Sequence, residues 1–244
     1  MKRENIRSIS ELLTVVIPSK NEGHMLYECL YMLSLQEGIE GTHVVVADSS
    51  NEERSKAWLS RAKDHLKERM WIEVIPGGYP AAARLMGSTH VKTDYVLFLD
   101  ADMILKNPKI LKNLLEDPEG LDLMTVTIET DKPYDAVYKA FYATQLFSKW
   151  ILRTPFAIGG FQLWNTEAYW NAGGWKADEL FAEDYSLSRR VKPGRFLIEK
   201  VRGVYTSPRR FKNKGVAWMV WIMLKSYLNR NNPEFFKRSH GYWD

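Results

Sequence analysis

Strand-like and helix-like segments alternate along the first hundred residues, and this alternation restricts the folds open to the chain more than any other feature. Short runs rich in Val, Ile and Leu predict strands, and stretches with apolar residues at i, i+4 spacing predict helices between them. The predicted strands are 12–17, 43–47, 71–75 and 95–99, and the predicted helices are 22–36, 54–70 and 80–89. Such alternation favours an α/β fold with a mainly parallel sheet and helices on both faces.

The second half of the chain has a less regular pattern. We predict a strand at 123–128, helices at 134–152, 166–172 and 183–191, a short helix opened by Asn107-Pro108, and a flexible segment that starts at Gly159-Gly160. We expect one α/β domain over 1–201, divided at about residue 104 into two halves. A basic, aromatic, helical segment is expected over 202–244.

The cysteine content and the composition of the N-terminal residues limit the possible disulfides, zinc sites and cellular location. The single cysteine, Cys29, excludes an internal disulfide framework and a cysteine-based zinc site, and its place on an apolar helical face predicts a buried thiol. No apolar stretch precedes residue 12, so we expect no secretory signal and a cytoplasmic location.

Positive charge is concentrated at the C-terminal end. The chain has a net charge of +4, but residues 202–244 contain nine Lys or Arg and two acids, and therefore carry +7. A basic tail on a mildly acidic body indicates an anionic partner, such as a phosphate or a lipid headgroup. The alternative is a solvated basic helix. Nucleic acid is not an expected partner, because no recognisable binding module is present.

Two carboxylates, Asp100 and Asp102, follow the predicted strand 95–99 directly. In extended backbone the i, i+2 spacing puts both side chains on the same side of the chain. Mg²⁺ and Mn²⁺ prefer a few carboxylate oxygens together with phosphate oxygens and water. The pair therefore indicates a divalent-metal site for a phosphorylated ligand, and the alternative is a solvated acidic turn.

Similar polar motifs occupy other loops where an open α/β sheet gathers its ligand. In chain order the motifs are Pro18-Ser19-Lys20-Asn21-Glu22, Asp48-Ser49-Ser50-Asn51, Asp100-Ala101-Asp102 and Phe181-Ala182-Glu183-Asp184. Taken singly, Asp48 could cap a helix, and Glu183 and Asp184 could complement a helix dipole. The order and separation of all four favour one shared ligand site.

Together these motifs resemble the inverting, nucleotide-sugar-dependent glycosyltransferases of family 2, which have the Rossmann-like GT-A fold. The resemblance covers roughly 12–191 and implies a donor site and a cofactor, Mn²⁺ or Mg²⁺. It makes 1–201 a catalytic domain with a nucleotide-binding half of about 1–104 and an acceptor half of about 105–201. It assigns Pro18, Ser19, Lys20, Asn21 and Glu22 to the nucleoside border, Asp48 to the base, Arg84 to the diphosphate or base, Asp100 and Ala101 to the ribose or donor sugar, and Asp102 with Asp100 to the metal.

The same resemblance implies the acceptor side of the site. Gly159, Gly160 and Phe161 match the loop near the acceptor, and Asp184 would be the general base. Glu183 would orient the acceptor or raise the pKa of the base. One carboxylate that deprotonates the acceptor during a single attack implies inversion at the anomeric carbon, while the metal neutralises the departing diphosphate.

The donor and acceptor classes follow in outline. A carboxylate at Asp48 accepts a hydrogen bond from the N3–H of uracil, which favours a UDP-sugar, and a GDP-sugar is the alternative. The acceptor is a glycan, a small molecule or a lipid phosphate. Ala47 stands where the family usually has an acid, and the absence of a Gln-x-x-Arg-Trp motif disfavours the processive polysaccharide synthases. His240 is not expected to complete the metal site.

Two features of the basic segment carry further expectations. Arg209 and Arg210 suit phosphate recognition, in the donor diphosphate or in the acceptor, and the alternative is pairing with nearby acids. The run 216–224 is nine consecutive apolar residues, too short to span a bilayer. We expect it to pack against the core, and the alternative is a helix at a membrane surface.

Three other functions are alternatives to sugar transfer. A non-catalytic nucleotide-sugar or glycan-binding protein of the same fold would lack hydrolysis of the donor. A sugar-1-phosphate nucleotidylyltransferase is disfavoured because Pro18 to Glu22 stand in place of its glycine-rich loop. A dinucleotide dehydrogenase is disfavoured because no Gly-x-Gly-x-x-Gly follows a strand.

Overall fold

A computed structural model of the protein describes residues 7–130 and 134–242. Its strands are β1 (Leu13–Ser19), β2 (Thr42–Asp48), β3 (Met70–Pro76), β4 (Tyr95–Leu99), β5 (Met103–Leu105), β6 (Leu123–Val126), β7 (Phe161–Asn165), β8 (Phe196–Glu199) and β9 (Val204–Thr206). Its helices are α1 (Ile9–Leu12), α2 (His24–Ser34), α3 (Glu53–Leu66), α4 (Pro80–Ser88), α5 (Ile110–Glu116), α6 (Asp135–Trp150), α7 (Thr166–Asn171), α8 (Glu183–Ser188), α9 (Arg209–Lys214), α10 (Val216–Leu228) and α11 (Pro233–Phe236).

Seven of these strands form one twisted layer in the order β3-β2-β1-β4-β7-β6-β8. The four strands from β3 to β4 are parallel, β7 is antiparallel to both of its neighbours, and β8 is parallel to β6. The mainly parallel α/β sheet predicted from the alternation of segments is therefore confirmed. The carboxyl ends of β1, β2 and β4 meet at one edge, where the predicted site residues begin.

The prediction of a flexible segment after Gly159-Gly160 was wrong. Gly160 leads directly into β7, which fills the position between β4 and β6, and the side chains of Phe161 to Trp164 are buried. The sequence pattern does not predict this strand, because the polar residue Gln162 interrupts its apolar run. In the fold the Gln162 amide donates to the Ala157 carbonyl at 3.2 Å, and its Oε1 accepts from Trp164 Nε1 at 2.9 Å.

Apolar side chains of the sheet alternate between two core clusters, one on each face. On β1, Val15 and Ile17 point into the cluster that contains Cys29, and Val16 points into the opposite one. Gly87 of α4 packs directly on β1, since a Cβ at this position would lie 2.3 Å from Val16 Cγ1. This close approach of helix to strand sets the position of Arg84, one turn earlier on α4.

The basic C-terminal segment joins the rest of the chain at the carboxyl edge of the sheet. Strand β9 pairs with β5, immediately after Asp102. The Phe236 carbonyl accepts from the backbone N–H groups of Leu180 and Phe181 at 2.8 and 3.1 Å. This connection brings α9 and α10 next to the loops that carry the predicted chemistry.

The expectation that the apolar run 216–224 packs against the core holds for one side of α10 only, where Ile222 joins a buried cluster with Phe181 and Phe236. The buried residues of α10 are Ile222 and Ser226, whereas Val220, Trp221 and Leu224 are 59%, 53% and 56% exposed. The helix is apolar on most of its circumference, but the protein covers only one side of it. None of the helices in the described ranges is both long and apolar enough to cross a membrane.

Candidate active site

The loops after β1 and β2 are tied together by Asn21. Its backbone N–H donates to Ser50 Oγ at 2.8 Å, and its side-chain Oδ1 accepts from the N–H groups of Asn51 and Glu52 at 3.0 and 3.2 Å. Asn21 has a φ of 55°, a left-handed conformation that Asn tolerates better than most residues. The two predicted nucleoside motifs therefore form one surface, as their positions after neighbouring strands predict.

Asp48 lies on this surface with a constrained environment. Its Oδ1 accepts from Ser50 Oγ at 2.7 Å, and its carbonyl accepts from Gly77 N at 2.9 Å. A Cβ on Gly77 would lie 2.7 Å from the Ala47 carbonyl oxygen, so only glycine fits there. Ser19 Oγ is buried with no hydrogen-bond partner among the described residues.

Arg84 links two of the predicted motifs. Its side chain is only 3% exposed; Nη1 donates to Glu183 Oε1 at 2.9 Å and Nη2 donates to Asp100 Oδ1 at 2.6 Å. The guanidinium also lies 4.8 Å from the ring centroid of Trp175. Burial lowers the pKa of Arg84, but the charges of Asp100 and Glu183 and their hydrogen bonds outweigh it and keep the pKa above the ordinary value of arginine.

Asp102 lies in a group of acids that faces a cation. Burial, followed by the charges of Asp100 and Glu22, raises the pKa of Asp102 to about 6. Arg209 Nη2 is 3.5 Å from Asp102 Oδ2 and 2.8 Å from Glu22 Oε2. The acids repel one another unless a positive charge lies between them, which is the condition that a divalent cation satisfies.

Asp184 is held by two backbone amides at the start of α8. Gly159 N donates to its Oδ2 at 2.9 Å, and Tyr185 N donates to its Oδ1 at 2.8 Å. Burial, followed by the charge of Glu183, raises the pKa of Asp184 to about 7. Ala182, just before the helix, has a left-handed φ of 47°, a conformation often retained at functional sites.

Gly159 and Gly160 lie between the two groups of acids. A Cβ on Gly159 would be 3.4 Å from Asp184 Oδ2, and one on Gly160 would be 3.6 Å from Asp100 Oδ2. The Gly160 carbonyl also accepts from Asp100 N at 3.0 Å. Both carboxylate distances are ordinary contacts; the tighter ones are to Arg84 Nη2, 3.3 Å from a Cβ on Gly159, and to Met103 Sδ, 3.1 Å from a Cβ on Gly160.

A large cavity of about 1210 Å³ opens from these acids. Its polar end is lined by Asp100, Asp102, Glu183, Asp184, Arg209 and Arg210. Tyr242 closes one side, where its hydroxyl accepts from Arg210 Nη1 at 2.5 Å and its ring packs on Phe181 at 5.2 Å. From there the cavity continues between α6 and α10.

The fold brings most of the predicted site residues to one edge of the sheet. Ala101 and Phe161 are buried in the core beneath it, and Lys20 is exposed. The His240 ring makes a hydrogen bond within the C-terminal segment, with Nε2 2.9 Å from the Phe235 carbonyl oxygen. Among residues 7–130 and 134–242, no three His, Cys, Asp or Glu side chains form a group that could hold a metal ion by themselves.

Sequence reasoning missed Trp175 and Tyr242 as parts of the site. Trp175 covers the Arg84 guanidinium, and Tyr242 approaches from the other end of the chain. The adjacent pair Gly173-Gly174 was the available signal for Trp175. Nothing local marks Tyr242, because its place depends on the return of the C-terminal segment across the site.

Comparison with known proteins agrees with this architecture. The profile of glycosyl transferase family 2 matches residues 14–173. No curated protein matches the chain. The solved structures described next are below 20% identical in sequence and establish the likeness of fold alone.

Three solved structures illustrate the likeness. The mannosyltransferase PcManGT from Pyrobaculum calidifontis, in complex with GDP-Man and Mn²⁺, is 19% identical with a TM-score of 0.65, and the match covers 93% of this chain and 64% of that one. TarS from S. aureus is 15% identical with a TM-score of 0.61, over 93% of this chain and 41% of that one. Glucosyl-3-phosphoglycerate synthase from Mycobacterium tuberculosis, in complex with Mn²⁺, UDP-glucose and phosphoglyceric acid, is 16% identical with a TM-score of 0.57, over 91% and 81%.

The chain thus spans less than two thirds of the length of the first two of these enzymes. The family match covers β1 to α7, which includes the loops with Asp48 and Asp100-Ala101-Asp102. It confirms the resemblance that the motifs predicted, and the seven-stranded sheet is the GT-A fold. The chain belongs to glycosyl transferase family 2.

Proposed function

We propose that this protein transfers one sugar from a nucleotide sugar to a hydroxyl or phosphate acceptor, with a divalent metal and with inversion at the anomeric carbon. The observation that carries the proposal is the geometry of Asp184. Two backbone amides orient its carboxylate, its pKa is about 7, and it lies on the wall of the cavity that also contains Asp100 and Asp102.

Asp184 fits the role of general base. A base acts best when its pKa is close to the working pH, and a well-placed carboxylate contributes about 10²–10⁴-fold to the rate. One lone pair of each oxygen is used by an amide, so the remaining lone pairs can accept the proton of the acceptor. The proton moves to Asp184 as the acceptor oxygen attacks the anomeric carbon, and this single displacement inverts the configuration.

Arg84 and Glu183 act on this step indirectly, through Asp184 and Asp100. Glu183 is buried and paired with Arg84, so it influences Asp184 through its charge. Arg84 in turn fixes the distance between Asp100 on the donor side and Glu183 on the acceptor side. We propose that this bridge holds the donor site and the general base at a fixed distance from each other.

The acids at the donor end suit Mn²⁺ or Mg²⁺. Asp102, with Asp100, would hold the ion, and diphosphate oxygens and water would complete its shell. The position of Arg209 Nη2, 3.5 Å from Asp102 Oδ2 and 2.8 Å from Glu22 Oε2, supports a preference for positive charge at these acids. When bound, the metal would neutralise the charge that develops on the departing diphosphate.

We propose a UDP-sugar as donor, with the base held at Asp48 and the nucleoside bordered by Pro18, Ser19, Lys20, Asn21 and Glu22. Carboxylate recognition of the N3–H of uracil supports this choice. A GDP-sugar is the alternative, and the structures named above were solved with donors of both kinds. Calorimetric titration of UDP and then GDP, with and without Mn²⁺, tests the proposal directly.

We expect Asp102→Ala to abolish the metal-dependent part of nucleotide binding. The wild-type protein should bind UDP with Mn²⁺ more tightly than without it, and the variant should bind equally weakly in both conditions. Because the pKa of Asp102 is about 6, protonation should also weaken the effect of Mn²⁺ in the wild type below that pH. Asp64→Ala, an exposed acid on α3, is the matched control. Equal Mn²⁺ dependence in both variants would contradict the metal role.

We expect Glu183→Gln to shift the acidic limb of the pH–rate profile to lower pH. The base must be deprotonated, so kcat/KM should rise through a pH of about 7 in the wild type. Loss of the Glu183 charge removes one cause of the raised pKa of Asp184. Glu179→Gln, a buried acid paired with Ser186, is the control and should leave the limb in place. A limb unchanged by Glu183→Gln would argue against Asp184 as the titrating base.

A binding protein without catalysis predicts a different outcome for the wild type. It would bind a nucleotide sugar and show no metal-dependent hydrolysis or transfer. Release of free sugar from UDP-glucose or GDP-mannose, followed over hours with Mn²⁺, separates the two functions.

A further inference from the structure

The cavity that starts at Asp184 continues as an apolar groove between α6 and α10. Residues of α6 that line it recur at helical spacing: Ala136, Ala140, Thr144 and Phe147. The lining residues of α10 do the same: Val216, Val220, Met223 and Tyr227. Two helices therefore present apolar stripes to each other across a groove that the protein itself does not fill.

Exposed apolar side chains are concentrated around this groove. Seven of the fourteen exposed large hydrophobic residues in the described ranges lie in the short segments 147–151 and 220–228. They are Phe147, Trp150, Ile151, Val220, Trp221, Leu224 and Leu228. Single exposed apolar residues are common on protein surfaces, whereas a contiguous group of them marks a binding surface.

The two ends of the groove differ in charge. At the inner end, Arg210 and Lys214 line the cavity beside the acids, with Lys214 Nζ donating to the Gly241 carbonyl at 2.9 Å. Burial lowers the pKa of Arg210, but the interaction with Tyr242, followed by the charges of Asp100 and Asp102, outweighs burial and raises the pKa. A ligand that fits has an anionic head near Asp184 and an apolar tail.

The rim of the groove has the composition of a membrane-contacting surface. Trp150 and Trp221 are 58% and 53% exposed, and Lys225 Nζ lies 4.8 Å from the ring centroid of Trp221. Tryptophan with neighbouring cations is typical of helices that lie in the interface of a bilayer. Because this rim lies beside the open groove, an apolar tail could enter the groove directly from a membrane.

We infer that the acceptor of this glycosyltransferase is a lipid phosphate with one long hydrocarbon chain, bound with its phosphate near Arg210 and Lys214 and its chain between α6 and α10. The inference rests on the proposed function and names the acceptor class of the same site. Charge complementarity selects the phosphate, and continuity of the groove with Asp184 places it at the base.

The reaction balances without any further reactant. An oxygen of the lipid phosphate forms the bond to the anomeric carbon, and the bond between that carbon and the nucleoside diphosphate oxygen breaks. If the phosphate is in its singly protonated form, its proton passes to Asp184. The products are a glycosyl lipid phosphate and a nucleoside diphosphate.

Transfer assays with defined acceptors test the inference. Radiolabelled UDP-glucose and GDP-mannose are supplied with Mn²⁺ and with geranylgeranyl phosphate, geranylgeraniol or glycerol phosphate in detergent micelles. We expect transfer to geranylgeranyl phosphate, measured as label in the organic phase, to be at least about tenfold faster than transfer to glycerol phosphate, measured as labelled product in the aqueous phase, because a buried chain of several methylenes changes affinity by more than that factor. Geranylgeraniol has the same chain without the phosphate, so its rate should also be at least about tenfold lower if Arg210 and Lys214 hold the phosphate. Equal rates with glycerol phosphate would overturn the role of the chain, and equal rates with geranylgeraniol would overturn that of the phosphate.

Substitutions in the groove provide a second test of the inference. Val220→Glu and Leu224→Glu place a charge on exposed residues of α10, and the expected result is a KM for geranylgeranyl phosphate raised at least about tenfold. Leu35→Glu, an exposed leucine at the end of α2, is the control and should leave this KM unchanged. Unchanged KM values in both α10 variants would overturn the inference.

Nucleotide binding separates failure of this inference from failure of the proposed function. If UDP or GDP binds with Mn²⁺ and the donor is hydrolysed, but no lipid phosphate is glycosylated, the inference alone fails. If neither nucleotide binds, the proposed function fails together with it. Flotation with vesicles that contain geranylgeranyl phosphate adds a readout without catalysis: the wild type and Leu35→Glu should float, and the α10 variants should not.

Discussion

Replacement of Asp184 by Asn is expected to lower sugar transfer by about 10²–10⁴-fold while nucleotide binding stays unchanged. The amide has nearly the same shape as the carboxylate but cannot accept the proton of the acceptor. It also has only one oxygen, so it can accept from Gly159 N or from Tyr185 N but not from both. Steady-state kinetics with a radiolabelled donor, combined with calorimetric titration of UDP and Mn²⁺, measures the two properties separately.

The matched control for this variant is Asp64→Asn, which changes an exposed acid on α3 far from the cavity. It should retain the wild-type rate. A near-wild-type rate for Asp184→Asn would remove Asp184 from the role of base and leave the buried Glu183 as the nearest carboxylate. A loss of nucleotide binding equal to the loss of rate would instead show that Asp184 holds the donor.

Replacement of Arg84 by Leu is expected to lower the free energy of unfolding by about 3–5 kcal/mol, because it leaves buried Glu183 without a counter-charge. Asp100 is more exposed and can be hydrated, so Glu183 should dominate the cost. Denaturant unfolding at pH 7, followed by circular dichroism, measures the change. The same variant should also reduce transfer, since Arg84 no longer links Asp100 to Glu183, the neighbour of Asp184.

Two further variants make this expectation specific. Arg54→Leu, an exposed arginine on α3, should change stability by no more than about 0.5 kcal/mol. The double variant Arg84→Leu, Glu183→Gln removes the unpaired charge and should regain part of the lost stability. If the double variant is as unstable as Arg84→Leu alone, the loss comes from packing against Trp175 rather than from the unpaired carboxylate.

The amino-acid sequence by itself determined the strand and helix alternation of the first hundred residues and the position of acids at strand ends. Strand β4 begins and ends where the apolar run predicts, and Asp100 and Asp102 follow it. These features are local: apolar periodicity sets the element, and parallel strands bring their carboxyl ends to one edge. The family resemblance of the motifs was detectable for the same reason.

Only the tertiary structure decided which side chains pair and which helix faces stay uncovered. Arg84 meets Glu183 at 99 positions' separation, and Arg209 meets Glu22 at 187. Such contacts depend on strand order, and the insertion of β7 between β4 and β6 has no local signal because buried Gln162 satisfies its amide through the fold. Helix α10 is apolar enough in sequence for a core, yet its burial depends on what lies beside it, and here an open groove does.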